Sequence, residues 1–315
     1  MIIDNASFDG SAELVEAFLK SNPELANRSR LVKNRTNLGF TRAHNQALTW
    51  TAGEFVMILN QDVILSPGYI GELLDCLKRD ERSAAVSGRL LQWRFDPATF
   101  YLGAEAEGAQ IIDSGGLKLA RSRRVTNLFQ GESATRTTEV ASRIFGVSAT
   151  AALYRRSALE LVSPPDKVFD EDFVSYKEDV DLAWRLQAAG FDALVLPHAN
   201  AYHDRSLGNS VGFLGELRSR RQRHREHKVN SYANHLCLLI KNETLSNFSR
   251  DFPWIISHEL VKFGYLLITD PGTLILGLGR AIRLLPTMIK KRRLLTHTRR
   301  RSTADIRQWW TRVNK

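Results

Sequence analysis

The pattern of this 315-residue chain predicts an α/β fold. Short apolar runs alternate with segments of helical period through roughly the first two hundred residues. Nearly every run ends in a cluster of Asp, Asn, Ser or Gly, the composition of turns. A hydrophobic content of 43% with 25% charged residues is that of a globular chain able to bury a core. Strands alternating with helices at this spacing imply a mostly parallel sheet.

Met1–Ile3 reads as a strand, "DNASFDGS" as the turn after it, and Leu14, Val15, Phe18 and Leu19 as one face of a helix. Leu31–Val32 starts a second strand, followed by the loop "KNRTNLGFTRAHN" and the helical "NQALTWTA". "EFVMILN" is a buried strand. Tyr69, Ile70, Leu73, Leu74 and Leu77 share a helix face, and Ala84–Val86 opens a further strand. Residues 93–144 are irregular, with loop and hairpin signals at "DSGG" and "ARSRR". "SATAALYRRSALELV" runs from strand into helix, and a helix over about 179–189 is stopped by Gly190. "FDALVLP" is the last strand, and "HANAYHDRSLGN" reads as a polar loop.

A domain boundary is expected near 214, giving a domain over 1–214 and a basic, amphipathic helical extension over 215–315. The extension holds 21 Lys and Arg against 7 Asp and Glu, while the whole chain carries +10, so the first part is mildly acidic. Such asymmetry points to an anionic partner. Ile256, Leu260, Phe263 and Leu267 share one helix face, and Ile275, Leu278, Ile282 and Leu285 another. Amphipathic helices flanked by Arg and Lys suit an anionic membrane surface, or equally pack on the first domain. The sequence has no uncharged apolar run of about 18 residues, so no transmembrane helix is expected. No signal peptide is read at "MIIDNAS". Cys76 and Cys237 are far apart and lack metal spacing, which favours a reducing compartment. Aromatics are not interleaved with the basic runs, so a nucleic-acid partner is disfavoured. No G-x-G-x-x-G follows a strand, which disfavours a nicotinamide enzyme.

Ligands in open α/β sheets bind beyond the carboxyl ends of strands, where several polar clusters fall. Asp4 can accept a hydrogen bond from a nucleobase or sugar, or belong to a capped turn. In "NLGFTRAHN", with Asn37, Gly39, Arg42 and Asn45, the glycine permits close backbone approach and the arginine can pair with phosphate; a loop entering a helix has the same composition. Asn60 and Asp62 end a strongly apolar strand, where a carboxylate suits Mg²⁺ or Mn²⁺ with a substrate phosphate, or caps a turn. His203 can join Asp62 on such an ion. In "YKEDVDLAWRL", Glu178 and Asp179 fit a helix N-terminus and Asp181 pairs with Arg185. With Asp170, Glu171 and Asp172, however, six acids lie within twelve residues, a density expected where cations or sugar hydroxyls bind.

Taken in order, "DNASFDGS", "NLGFTRAHN", "LNQDV", "FGVSATAALYRRSAL", "FDEDFVSYKEDVDLAWRL" and "AYHDRS" resemble family 2 glycosyltransferases of GT-A fold, especially the bacterial rhamnosyltransferase-like branch. The resemblance covers residues 1 to about 210. It implies a nucleotide-diphospho-sugar transferase sheet flanked by helices. It also implies inverting, metal-dependent transfer of a sugar, with rhamnose suggested by likeness alone, from a nucleotide-sugar to a hydroxyl acceptor, a saccharide or lipid-linked saccharide. In that reading Asp4 holds the nucleobase and Asn37, Gly39, Arg42, Asn45 and Asn60 complete the donor site. Asp62 and His203 contact Mg²⁺ or Mn²⁺, Asp179 is the general base, and Glu178 and Trp184 lie on the acceptor side. The setting it implies is cell-envelope polysaccharide synthesis, in the cytoplasm at the inner face of the plasma membrane. Two departures stand out. The usual first strand and helix before "DNAS" are lacking, and Ala149 stands where relatives carry Gly. The first departure makes a non-catalytic nucleotide-sugar-binding remnant at the membrane the alternative.

Overall fold

A computed structural model of the protein describes residues 1–93, 111–135, 141–164, 167–204 and 224–311. β1 (Ile2–Asp4) and β2 (Leu31–Lys33) form a parallel pair of their own, joined by α1 (Ser11–Ser21) and the short α2 (Pro23–Ala26). A seven-stranded sheet follows the order β3 (Phe55–Leu59), β10 (Ala151–Arg155), β5 (Ser83–Trp93), β11 (Asp192–Asp204), β4 (Val63–Leu65). β6 (Ile112–Ser114) adds to β5, and β9 (Ser142–Ile144) adds to β11. β7 (Leu117–Leu119) and β8 (Val125–Asn127) make a separate hairpin. Among the described residues no strand joins β1 to β3, and Leu14 and Phe18 on the face predicted for α1 are exposed.

The sheet is mixed rather than mostly parallel. β3, β5 and β11 share a direction, but β10 runs antiparallel between β3 and β5, and β4 runs antiparallel to β11. Alternation along the strands sorts the core. Val86, Leu153 and Leu194 meet Tyr69, Leu73 and Leu77 of α4 (Tyr69–Arg79) on one face. Ala85, Ala152, Tyr154, Ala193 and Val195 meet the other face. There they pack on Leu48 of α3 (Gly39–Thr49), Leu159 of α5 (Arg156–Val162), and Leu182 and Leu186 of α6 (Glu178–Ala188).

Residues 198–204, expected as a loop, instead continue β11. The strand bulges between Leu196 and Asn200 and then resumes its pairing with β5 and β4. The bulge rests on Gly88, where an added Cβ would stand 2.0 Å from the Ala199 carbonyl, and Arg89 donates to Asn200 Oδ1 at 3.0 and 3.2 Å.

The C-terminal helices are α7 (Arg225–Asn242), α8 (Leu245–Thr269), α9 (Pro271–Thr298) and α10 (Thr303–Thr311). The basic residues 215–223 and the expected boundary at 214 lie outside the described residues. Ala233, Cys237 and Leu238 of α7, Met288 of α9 and Trp310 of α10 share a core with Phe145, Phe173, Val180 and Trp184. Of the two predicted faces, Leu260, Phe263 and Leu267 of α8 and Ile275, Ile282 and Leu285 of α9 are exposed, while Leu274, Gly277, Ala281 and Met288 of α9 are buried. No membrane-crossing helix was expected, yet α9 is long and apolar enough to cross one, with a mean hydropathy of 1.3 over its best window.

The acidic density of 170–181 is resolved by protein cations. Lys241 of α7 bridges Asp170 at 2.7 Å and Asp181 at 2.8 Å, and Arg185 pairs with Asp181 at 2.8 Å. Lys291 of α9 pairs with Asp170 and with Asp172, the latter at 2.6 Å. Burial opposes ionisation of Asp170 and Asp181, but these cations outweigh it and lower both pKa values. Lys241→Met would leave two buried carboxylates short of a cation. Urea unfolding is expected to show a loss of about 3–5 kcal/mol.

Candidate active site

Sheet register builds the first part of the site. His203 stands opposite Val63 in the β4–β11 pair, so its ring meets the preceding Asp62. Nε2 lies 3.4 Å from Asp62 Oδ2, and Nδ1 lies 2.8 Å from Asp113 Oδ2. Asp113, on β6, is buried. Burial opposes a charge on His203, but the two carboxylates, Asp113 first, raise its pKa to about 9. A carboxylate oxygen and an imidazole nitrogen 3.4 Å apart suit neighbouring ligands of one octahedral ion, whose bonds of about 2.1 Å put such ligands about 3 Å apart. Oxygen and imidazole donors are also what Mg²⁺ and Mn²⁺ accept. Holding Nδ1 at Asp113 directs Nε2 toward Asp62, the arrangement that fixes a metal-binding histidine. The residues present fit such an ion.

The second part lies at the end of β3 and β10. Asn60 N–H donates to the Thr150 carbonyl at 2.9 Å, and the N–H of the adjacent Ala149 hydrogen-bonds the Asp179 carboxylate. Asp179 is thereby tied to the strand ends that carry Asn60. It also accepts from Val180 N–H at 2.8 Å and lines a cavity of about 10 Å³ with Gly146, Tyr154 and Gln187. Burial raises the Asp179 pKa against the pull of Lys177 and of the backbone N–H groups of Val180, Ala149 and Asp179 itself. Glu178 is buried, and desolvation followed by the Asp179 charge raises it to about 8.

The third part is formed where the loop after β1 meets the loop between β2 and α3. Asn5, which sequence reading passed over in favour of Asp4, is its hub. Its Oδ1 accepts from Leu38 N–H at 3.0 Å and from Asn34 at 3.2 Å, and its Nδ2 donates to Asn37 Oδ1 at 2.9 Å. Asn37 Oδ1 also accepts from Gly39 N–H at 2.9 Å. Half-buried Asp4 accepts from Ser7 N–H at 3.3 Å. Arg42 is exposed and stands 3.7 Å from Glu171.

Two predicted site residues are structural. Asn45 is buried, with Nδ2 donating to the Phe169 carbonyl at 2.8 Å and Oδ1 accepting from Phe169 N–H at 2.9 Å, so its amide is spent on stapling α3 to that segment. Trp184, assigned to the acceptor side, is buried between Phe145 and Trp310, with ring centroids 6.0 Å away from each. Besides Asn5, sequence reading missed Asp113, whose "IIDSGG" setting looked like a loop or hairpin.

Residues 1–162 match the glycosyl transferase family 2 pattern. The chain belongs to glycosyl transferase family 2. Within this family it is 29% identical over 218 residues to N-acetylglucosaminyl-diphospho-decaprenol L-rhamnosyltransferase of Mycobacterium tuberculosis, in strains CDC 1551 / Oshkosh and ATCC 25618 / H37Rv. The match covers 65% of this chain and 66% of that protein, just under two thirds of the relative's length. Among solved structures it is similar to mannosyltransferase PcManGT from Pyrobaculum calidifontis in complex with GDP-Man and Mn²⁺, at 17% identity and a TM-score of 0.46, covering 94% of this chain and 75% of that one. For GalNAc-T7 with UDP, GalNAc and Mn²⁺ the identity is 14% and the TM-score 0.47, with 85% of this chain and 51% of that one covered.

The raised Glu178 carboxyl has a stability signature in this family 2 chain. In the unfolded chain it ionises near about 4.3. Folded, it stays protonated up to about 8. Stability therefore falls as pH rises between those values. Glu178→Gln is expected to raise the Tm at pH 8 while changing it little at pH 4, as read by thermal unfolding at both.

Proposed function

We propose that the chain is an inverting, metal-dependent glycosyltransferase that moves a sugar from a nucleotide-sugar to a hydroxyl acceptor. The observation that carries this is the Asp62–His203 contact at the sheet's carboxyl edge, with Asp179 tied to the same edge through Ala149. Asp62 and His203 would hold Mg²⁺ or Mn²⁺, which when bound neutralises a leaving diphosphate. Asp113 keeps the His203 ring aimed at Asp62. Asp4, Asn37, Gly39, Arg42 and Asn60 face the donor, Arg42 being an exposed cation suited to phosphate. Asp179 takes the acceptor hydroxyl's proton as the new bond to the sugar forms and the bond to the diphosphate breaks on the opposite face. Its raised pKa makes it a stronger base than an exposed aspartate. Glu178 sits beside it, on the acceptor side.

The acceptor is proposed to be a lipid-linked saccharide and the donor sugar rhamnose, by analogy with the rhamnosyltransferase relative. The work would then be cell-envelope polysaccharide synthesis at the cytoplasmic face of the plasma membrane. The outward face of α8 and α9 supports a membrane seat: Leu260, Val261, Ile268, Ile275 and Ile282 are each more than half exposed, and Arg283 and Lys290 lie on the same hairpin. We place this hairpin in the interface rather than across the bilayer, because its other side packs on α7 through Ala281 and through Gly277, against Tyr232.

Nucleotide-sugars screened with Mg²⁺ or Mn²⁺ should release nucleoside diphosphate when acceptor is present. Asp179→Asn should lower kcat by about 10²–10⁴-fold with donor affinity kept, and Asp62→Ala should abolish the turnover that added metal supports. Full turnover by the Asp179→Asn protein would remove Asp179 as base. In vesicle flotation, the chain should rise with phosphatidylglycerol liposomes and not with phosphatidylcholine ones. Ile268→Asp combined with Ile275→Asp should reduce that binding at least tenfold.

A further inference from the structure

The segment that delivers Glu178 and Asp179 is strained. Val174, Tyr176 and Lys177 have φ of 59°, 70° and 72°, left-handed values that L-residues avoid and that β-branched Val tolerates least. Backbone in such regions persists only where its surroundings over-determine it. Lys177 is the last residue before α6, so these angles set where the helix begins and where its first two carboxylates point.

The groups that hold the segment come largely from the C-terminal helices. Asn234 of α7 is fully buried, and its Nδ2 donates to the carbonyls of Phe173 at 2.7 Å, Ser175 at 2.9 Å and Tyr176 at 2.8 Å. Two amide hydrogens thus serve three carbonyls that the left-handed turns gather around one point. No carbonyl or carboxylate could take that place, because the three acceptors need a donor. Lys241 lies two helical turns further along the same face of α7 and grips Asp170 and Asp181, and Asn242 donates to Asp181 Oδ1 at 2.9 Å. One helix therefore holds the stretch before, within and after the strained turns. α7 is itself anchored on α8 by His235 and Glu259, 2.7 Å apart. From the opposite side Thr41 N–H donates to the Val174 carbonyl at 3.1 Å, and Gly39 makes room for Val174, whose Cγ1 would be 2.7 Å from an added Cβ.

We propose that Asn234 is a positioning residue for the Glu178–Asp179 pair, which makes the C-terminal helices a working part of the active site and not only an attachment. This rests on the reading of Asp179 as the base. Asn234→Ala should let the turns relax. kcat for nucleoside diphosphate release should fall at least tenfold while KM and Kd for the nucleotide-sugar stay within twofold, since the donor side is held by α3 and the strand ends. Hydrogen exchange should quicken at residues 173–180 and not in β5 or β11. Asn234→Asp keeps the shape but turns an acceptor toward three carbonyls, and carries the same expectation if the alanine variant fails to fold. Asp179→Asn is run alongside. If it loses turnover while both Asn234 variants keep kcat within twofold, the positioning role is overturned and the base stands. If Asp179→Asn keeps full turnover, the base reading fails and the role proposed for Asn234 fails with it. A loss of kcat matched by an equal rise in donor KM would also overturn the proposal, since it would mark general disruption.

Discussion

The buried ammonium of Lys241 between Asp170 and Asp181 is the contact on which the rest of the molecule turns. A lone carboxylate in that environment would be driven to neutrality or exposed, because desolvation of an unpaired charge is worth several kcal/mol. With Lys241, Arg185 and Lys291 in place both aspartates stay ionised inside the fold. Asp181, the fourth residue of α6, then anchors the first turn of that helix, and Asp170 anchors the entry to the strained segment. Lys241 and Lys291 thereby fasten α7 and α9 to the segment that leads into Glu178 and Asp179.

Contrasting environments divide the neighbouring acids into different jobs. Asp170 and Asp181 are surrounded by cations and kept charged, whereas Glu178 and Asp179, two or three residues before Asp181, are desolvated and pushed upward. Neighbouring carboxylates driven apart in pKa are the arrangement that the proposed role of Asp179 as base draws on. At the β4–β11 end of the sheet's carboxyl edge the pattern is reversed. There two carboxylates share one imidazole, and Asp113 supplies the orientation that Asp62 alone could not.

Much of this was legible along the chain. Period-2 and helical patterns located most strands and helices, and strand-end composition singled out Asp62, whereas His203 and Asp179 were singled out chiefly by the order of motifs in the resemblance. What was hidden depended on partners distant in sequence. The acids of 170–181 looked like a ligand site because Lys241 and Lys291 lie 60–120 residues downstream, beyond any local reading. Trp184 looked available beside the acidic motif, but its face of α6 is covered by Phe145 and Trp310. Asn45 sat in a loop-like composition, yet its amide matched one buried peptide unit at Phe169. β11 read as ending at Pro197 because a bulge, seated on Gly88, carries the strand past it.

The internal use of basic residues changes how the chain's charge should be counted. Lys241, Lys291, Arg301 and Arg307 are each paired with a carboxylate inside the fold, and Lys228 with Asp270 at a partly buried site. Ion pairs shielded from solvent respond weakly to salt, whereas outward cations are screened over about 8 Å at physiological ionic strength. Any attraction to an anionic surface, at about 1 kcal/mol for each available cation, therefore draws on a smaller set than composition implies. Rising ionic strength would detach such a molecule from the surface well before it loosened the helices, leaving an intact fold free in solution.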